Sequence, residues 1–141
     1  MRYNEAMPLD VSPLYNAVQR LREGLARHVA EPADEQLRDG LIQRFEFTYE
    51  LSHRALRRYL TQSAASADEV DRLAFADLVR AGGAAGLLRS DWPKWRRFRE
   101  MRTRTSHIYD SGTAAQVVAA IPEFLAEAEH LCAELARRLA S

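Results

Sequence analysis

Apolar residues recur three or four positions apart through most of the chain, and this spacing is typical of one face of an α-helix. The first such segment begins at Ser12-Pro13, where we expect Ser12 to cap the helix and Pro13 to occupy its first position. It ends at Glu31-Pro32, because the residue before a proline disfavours the helical backbone. Its apolar face contains Leu14, Val18, Leu21, Leu25 and His28 or Val29.

The second predicted helix is the longest and extends from Asp34 to Gln62. Its apolar face contains Leu37, Leu41, Phe45, Thr48 or Tyr49, Ser52, Leu56 and Tyr59. Glu46 and Glu50 lie one turn apart on one face of this helix. Two interpretations stay open: both carboxylates are solvated, or one of them reaches an arginine of a later helix. We expect His53 at the surface or at the boundary of the core.

Two shorter segments follow. Asp68 to Ala81 predicts one short helix, and the glycine cluster Ala81–Gly86 ends it in a tight turn rather than forming a phosphate-binding loop, because no strand precedes it. Ser90 or Asp91 then caps an arginine-rich helix. The inward face of that helix contains Trp92, Trp95, Phe98, Met101 and Thr105.

The last helix opens after the turn Asp110–Thr113, with Thr113 in a capping-box position, and Pro122 should kink or restart it. The total is five helical segments, two of them long, with short connections and no β alternation. This pattern predicts an all-α fold, an up-and-down four/five-helix bundle. We expect residues 1–141 to form one domain, in which residues 1–11 are a loose N-terminal arm.

Composition limits the class of protein. The apolar content of 47% and the charged content of 28% are ordinary for a globular domain. Cys132 is the only cysteine and falls among leucines, so we expect it in the core; the lack of an internal disulfide fits a cytoplasmic location. No apolar run approaches the length of a membrane span, and the N-terminal segment lacks a hydrophobic signal core. We therefore expect no membrane anchor and no secretion signal.

Positive charge is concentrated in one segment, although the net charge of the chain is zero. Between Arg89 and Arg104 there are seven Lys or Arg residues against two acids. Arg102, within this segment, is followed five positions later by His107 and then by Tyr109. The four histidines fall on separate segments without metal-ligand spacing, so we expect no metal and no cofactor.

An arginine and a histidine suit the cleavage of RNA by its own 2′-hydroxyl. Histidine has a pKa near neutrality and can act as the base, and a guanidinium can bind two oxygens of the reacting phosphate. The residues expected to hold the RNA backbone are Arg96, Arg97, Arg99 and Arg104. Arg102 and His107 lie about 140° apart on an ideal helix. They converge only if the arginine reaches around, if the helix distorts near Ser106-His107, or if a dimer supplies a second site.

The spacing of Arg102 and His107 alone also fits a solvated basic face without catalytic function. Two longer motifs favour the catalytic interpretation. The segment RFEFTYELSHRALRRYL, residues 44–60, is followed about forty residues later by RTRTSHIYD, residues 102–110. Together they resemble the HEPN family, and more closely its branch of nucleotidyltransferase substrate-binding proteins. The resemblance covers roughly residues 10–140. Thr103 stands where asparagine is common in this family, and His53 stands where tryptophan is often found.

The resemblance implies a HEPN helical bundle that is usually dimeric and is encoded beside a minimal nucleotidyltransferase. The two proteins would form a toxin–antitoxin pair, in which the HEPN protein is an RNase that uses Arg102 and His107. The partner would transfer AMP to Tyr109 and so block the access of RNA. The residues to which we assign a supporting role are Thr103, Glu46 and Glu50.

A second function stays open, since a non-catalytic subunit that presents a substrate to a nucleotidyltransferase would have the same fold and the same partner. A plain helical scaffold is the third possibility. The expected partners are RNA, a cognate nucleotidyltransferase antitoxin and a second copy of the chain. Expressing the chain without a partner, and following growth and RNA integrity, would separate the first two functions.

Overall fold

The structure is a computed structural model that describes residues 9–140, so most of the predicted N-terminal arm lies outside the described residues. Within this range the chain forms six α-helices and no strand. They are α1 (Ser12–Ala30), α2 (Glu35–Ser63), α3 (Ala67–Asp71), α4 (Phe75–Ala84), α5 (Trp92–Arg104) and α6 (Ser111–Ala140). A 3-10 turn, Thr105–His107, follows α5. The predicted all-α bundle is confirmed.

The three long helices α1, α2 and α6 pack against one another, and α5 packs on α6. Phe124 of α6 lies edge-on to Phe45 of α2 and to Phe98 of α5, with ring centroids 5.0 and 5.4 Å away. Such pairs add about 0.5–1.5 kcal/mol to the burial of the rings. Cys132 is buried in the same core, as predicted. This shared core sets the position of α5, and therefore of its arginines, against α2 and α6.

Two helices begin differently from the prediction. Ser12 is the first residue of α1 rather than its cap, and its amide donates to Asp10 Oδ1 at 2.9 Å. This hydrogen bond lowers the pKa of the Asp10 carboxyl. α6 begins at Ser111 rather than at Thr113, because Asp110 Oδ1 accepts from the amide of Thr113 at 3.3 Å. In both places an upstream carboxylate, which the positive end of a helix favours, takes the role assigned to a hydroxyl.

The single helix predicted from Asp68 to Ala81 is wrong, because the structure has two helices there, α3 and α4. Arg57 of α2 donates through Nη1 to the carbonyls of Val70 at 3.0 Å and Asp71 at 3.3 Å. The last carbonyls of a helix need partners from outside it, and the guanidinium supplies them. The tertiary contact of Arg57 with the end of α3 therefore accounts for the break between α3 and α4.

The glycine cluster ends α4 later than predicted. The helix continues through Gly82 to Ala84, and the turn follows at Gly86, whose φ of +78° favours glycine. The amide of Leu87 donates to the carbonyl of Gly82 at 2.9 Å, which closes the turn. The predicted tight turn is confirmed, but it begins after Gly82. Gly82 is helical and lets α4 pack closely, since a Cβ there would lie only 3.0 Å from side-chain atoms of Leu56 and Leu88.

Two features of α6 place it beside the site. The helix is continuous through Pro122, so the restart that we allowed at this proline is wrong. Glu127 is buried in α6, and its Oε1 accepts from the amides of Arg89 at 2.7 Å and Ser90 at 3.1 Å. Ser90 Oγ donates to Glu127 Oε2 at 2.9 Å, so Ser90 does not cap α5. Asp91 occupies the cap position without a side-chain cap bond.

Between residues 9 and 140, no helix has both the length and the apolar character needed to cross a bilayer.

Candidate functional site

Arg102 is held by three side chains near the C-terminal end of α5. Its Nε donates to Glu50 Oε1 at 3.1 Å, and its Nη1 lies 3.3 Å from Glu46 Oε2. The same Nη1 donates to Thr105 Oγ1 at 3.2 Å. The interpretation in which a carboxylate of α2 reaches an arginine of a later helix is therefore confirmed, and both carboxylates do so.

These contacts orient the guanidinium more than they stabilise the fold. The side chains of Arg102 and Glu46 are each 32% exposed, and ion pairs open to solvent contribute at most about 1 kcal/mol. Two of the three guanidinium nitrogens are occupied, and no hydrogen bond from Nη2 is found among residues 9–140. Arginine nitrogens only donate, so Nη2 is the edge of Arg102 left for an external acceptor such as a phosphate oxygen.

The backbone changes at the place where we expected a distortion. α5 ends at Arg104, and the chain tightens into the 3-10 turn that carries His107. His107 is exposed, and its ring lies edge-on to Tyr109 with centroids 6.2 Å apart. Tyr109 is 85% exposed. In the part of the chain that the structure describes, no hydrogen bond joins His107 to Arg102, so the tighter turn does not pair them within one chain.

The other basic residues of α5 do not form one surface. On the side that faces α6, Lys94 and Arg97 both pair with Glu123, at 3.3 and 3.5 Å. Arg104 donates to Gln116 Oε1 at 2.5 Å, also on α6. A single carboxylate therefore offsets part of the charge of two cations, whereas Arg104 has a neutral partner.

The remaining arginines lie elsewhere on α5. Arg96 pairs with Glu100 one turn along its own helix, at 3.4 Å. The Arg99 guanidinium lies over the ring of Phe75 of α4, 5.8 Å from the centroid. Of the four arginines predicted to hold RNA, only Arg99 lies on the same side of α5 as Arg102, since both line one cleft.

This cleft, which we call the Arg102 cleft, has a volume of about 280 Å³ and opens between α2, α4 and α5. Its lining residues are Tyr49, Glu50, His53, Phe75, Arg99, Arg102 and Thr103. Burial raises the pKa of Tyr49 to about 12, so its phenol stays protonated at neutral pH. The Thr103 hydroxyl donates to the carbonyl of Arg99 at 3.1 Å, and its lone pairs stay available as acceptors.

His53 forms part of the wall of the Arg102 cleft, and its half-buried position confirms the predicted boundary location. Its ring centroid lies 4.5 Å from that of Phe75, and its Nε2 lies 3.5 Å from Arg57 Nη2. Burial, and then the charge of Arg57, lowers the pKa of His53. Because arginine only donates, a hydrogen bond at this contact requires Nε2 as the acceptor, which places the proton of the neutral ring on Nδ1.

Two residues at or near the site were not predicted. Phe75, at the start of α4, is buried and joins the ring cluster that backs the cleft. Its sequence signal was hidden, since the prediction placed it inside one continuous helix. Glu127 anchors the segment before α5. Its signal was visible, because it follows Phe124 by three positions and precedes Leu131 by four, which places a charge on the apolar face.

Comparison with known proteins identifies the family and the fold. Residues 9–137 match the family model described as nucleotidyltransferase substrate binding protein like. A protein of Haemophilus influenzae named probable ribonuclease HepT is 41% identical over 99 residues, which is 70% of this chain and 67% of the relative. The solved structure of HI0074 from Haemophilus influenzae, described as the fold of a substrate binding domain of a nucleotidyltransferase, has a TM-score of 0.84. It is 33% identical in sequence, and the match covers 89% of this chain and 98% of that chain.

The family model spans nearly the whole chain, and the solved relative shares its helical fold over almost its full length. The same residues contain the two motifs, at positions 44–60 and 102–110, that carry the HEPN resemblance. The chain therefore belongs to the nucleotidyltransferase substrate-binding branch of the HEPN family.

Proposed function

We propose that this chain is a HEPN ribonuclease that cleaves RNA with Arg102 and His107, as the toxin of a pair whose antitoxin is a nucleotidyltransferase. The observation that carries the proposal is the orientation of Arg102. Two carboxylates and a hydroxyl hold Nε and Nη1, and Nη2 is left to bind a phosphate oxygen. The name of the relative that is 41% identical, a probable ribonuclease, supports RNA as the substrate.

In this mechanism His107 removes the proton of a ribose 2′-hydroxyl, and the oxygen attacks the adjacent phosphorus. Arg102 stabilises the negative charge that develops on the non-bridging oxygens. The bond to the 5′-oxygen breaks, and this leaving group must gain a proton. A homodimer would supply that proton from the second His107, with both pairs facing a shared groove. The cycle needs no metal ion, and the requirement for a 2′-hydroxyl excludes DNA.

The remaining cations bind the RNA backbone in this proposal. Arg104 contributes most, because its partner Gln116 is neutral and leaves its charge uncompensated. Arg96 and Arg97 exchange their present carboxylate partners for phosphates, at some cost in affinity. Arg99 and Thr103 act at the Arg102 cleft. A cytoplasmic location, where RNA and ATP are both present, completes the proposal.

A second candidate is a non-catalytic subunit that presents a substrate to a nucleotidyltransferase. It is favoured by the likeness to HI0074, whose fold is described as that of a substrate binding domain. The exposed Tyr109 serves either candidate, since a partner enzyme reaches it without any rearrangement of the core. The two candidates differ in whether the chain breaks RNA by itself.

The test is cleavage of a defined single-stranded RNA by the purified chain in the presence of a chelator. We expect cleavage by the wild type and a loss of about a hundredfold or more in His107→Ala, with RNA binding retained. His130→Ala is the matched control, because this histidine lies on α6, with its Nε2 3.2 Å from the carbonyl oxygen of Gly86, and is not among the residues that line the Arg102 cleft. If the wild type binds a nucleotidyltransferase but never cleaves RNA, the second candidate replaces the first.

A further inference from the structure

The Arg102 cleft is larger than the binding of one phosphate requires. Its volume of about 280 Å³ lies just below the range of about 300–1,000 Å³ that is usual for small-ligand sites. That size suits one planar base or nucleoside rather than a longer ligand. The proposed reaction uses Arg102, oriented by Glu50, with Arg99 and Thr103 beside it, and it gives no role to the rings of Tyr49, His53 and Phe75.

The wall of the cleft is built from flat groups. The His53 and Phe75 rings lie with centroids 4.5 Å apart, inclined by 58°, and the Arg99 guanidinium covers the Phe75 ring. Phe75 is also backed by Trp95 and Tyr49, at centroid distances of 6.2 and 6.1 Å. Proteins hold unpaired bases of single-stranded RNA by stacking them on such aromatic and guanidinium surfaces.

The polar groups that line the cleft are a carboxylate, two guanidiniums, a neutral imidazole and the hydroxyls of Tyr49 and Thr103. Glu50 uses Oε1 for Arg102, and no hydrogen bond to its Oε2 is found among residues 9–140. With Nε2 facing Arg57, the neutral His53 ring offers an N–H donor at Nδ1. The cleft therefore combines one strong acceptor with several donors.

Charges of both signs surround the cleft. Glu50, Arg99 and Arg102 line it, Glu46 pairs with Arg102, and Arg57 lies beside His53. The two carboxylates weaken the attraction of these cations for a free anion. An uncharged base can still use directional hydrogen bonds there, because donors and acceptors are both present.

We propose that the Arg102 cleft is a nucleobase subsite that receives an unpaired guanine of the RNA, beside the phosphate bound by Arg102. Guanine presents N1–H and an amino group to a carboxylate, and O6 and N7 to guanidinium donors. Adenine and the pyrimidines do not present both patterns. The inference rests on the proposed ribonuclease function, because it names the base that the same site would select.

The test separates nucleoside binding from catalysis. Guanosine, adenosine, cytidine and uridine, which lack a phosphate, are titrated into the wild-type chain, and backbone amide shifts are followed by NMR. We expect guanosine to shift residues that line the cleft, Thr103 among them, and to saturate at a concentration at least about fivefold lower than the others. His53→Phe keeps a flat ring but loses the N–H, so it should keep stacking and lose part of the guanosine preference.

Removing the ring altogether should have a larger effect. In His53→Ala we expect guanosine affinity, and the cleavage rate of guanine-containing RNA at limiting substrate, to fall roughly tenfold. His130→Ala is the control for loss of a histidine elsewhere, and thermal melting checks that both variants fold. Cleavage without base preference, together with no guanosine binding, overturns the subsite and leaves the ribonuclease standing. Guanosine binding in a chain that never cleaves RNA overturns the ribonuclease and leaves the subsite standing.

Discussion

Arg102 shows what spacing can and cannot predict about a single side chain. Glu46 and Glu50 are one turn apart in any helix, so their shared face followed from the sequence alone. Whether that face met solvent or Arg102 depended on how α2 is rotated against α5, and large core side chains decide that rotation. The direction of His107 was also hard to predict. The local sequence does not determine where α5 ends, and the direction of a side chain at a helix end depends on that position.

Tyr109 carries the proposal of nucleotidylation. It is 85% exposed, and its ring contacts His107, so an AMP attached to its hydroxyl adds a phosphate charge beside the proposed catalytic base. We expect Tyr109→Phe to fold and to retain most RNase activity, while escaping inactivation by the partner. The measurement is intact mass after incubation with the partner nucleotidyltransferase, ATP and Mg²⁺. Equal AMP-sized increments in the wild type and in Tyr109→Phe would show that the acceptor is another residue, such as Tyr15, which is also exposed.

His53 makes stability depend on pH. Burial and then Arg57 lower the pKa of His53 below its ordinary value of 6.5, and Glu50 opposes this only in part. The folded chain therefore binds fewer protons at this ring than the unfolded chain does. The resulting loss of stability is absent well above pH 6.5 and grows as the pH falls through that value towards the lowered pKa.

We accordingly expect His53→Gln to lose less stability than the wild type between pH 7 and pH 5. Urea unfolding at each pH measures the difference, and His130→Gln is the matched control. A difference between His53→Gln and the wild type that does not change with pH contradicts the assignment.

At the scale of elements, apolar periodicity located the long helices well because burial alone determines where they lie. It failed where one element acts on another. Arg57 of α2 ends α3, and Glu127 of α6 fixes the segment before α5. Neither contact is local in sequence, so no pattern within a window of one helix contains it. The predicted cap of α6 failed for a smaller reason, since Asp110 accepts from the amides of Gly112 and Thr113 and the helix therefore begins before Thr113.

Glu127 should therefore stabilise the fold by holding the segment that precedes α5. Replacing it with alanine leaves the amides of Arg89 and Ser90 without acceptors, at a cost of about 2–3 kcal/mol in the free energy of unfolding. Glu127→Gln keeps an acceptor oxygen and should cost less. Glu129 lies on the same helix as Glu127, and its exposed ion pair is with Arg22 of α1, so Glu129→Ala should cost at most about 1 kcal/mol. Urea denaturation ranks the three variants, and similar losses for Glu127→Ala and Glu129→Ala would refute this role.

At the scale of the molecule, one chain is an incomplete catalyst in the proposed mechanism. It has one histidine in the turn after α5 for a reaction with two proton transfers. Phe47 is 58% exposed and directly follows Glu46 on α2. An exposed aromatic at that position is where we expect a second copy to pack. The helical spacing leaves Phe47 off the apolar face of α2, but spacing within one chain does not show whether a second copy covers it.

We expect the wild type to sediment as a dimer at micromolar concentration, and Phe47→Asp to be largely monomeric with a parallel loss of cleavage. Val29→Asp is the control, since Val29 is more exposed, at 69%, but lies at the far end of α1. Its dimer and its activity should be unchanged. A monomeric wild type that still cleaves RNA would remove the need for a shared groove.

Cations on α5 pair with Glu123, Glu100, Glu46 and Glu50. This pairing affects how strongly the protein binds nucleic acid that is not its target. Most nucleic acid that the protein meets is not its target. A bare arginine-rich helix would be sequestered on this excess by counterion release. When the cations of a helix are already paired with carboxylates, fewer counterions are released on binding to nucleic acid. Non-target nucleic acid therefore binds the protein weakly and dissociates quickly. Discrimination then depends on close contact, where a ligand must displace the internal partners one by one.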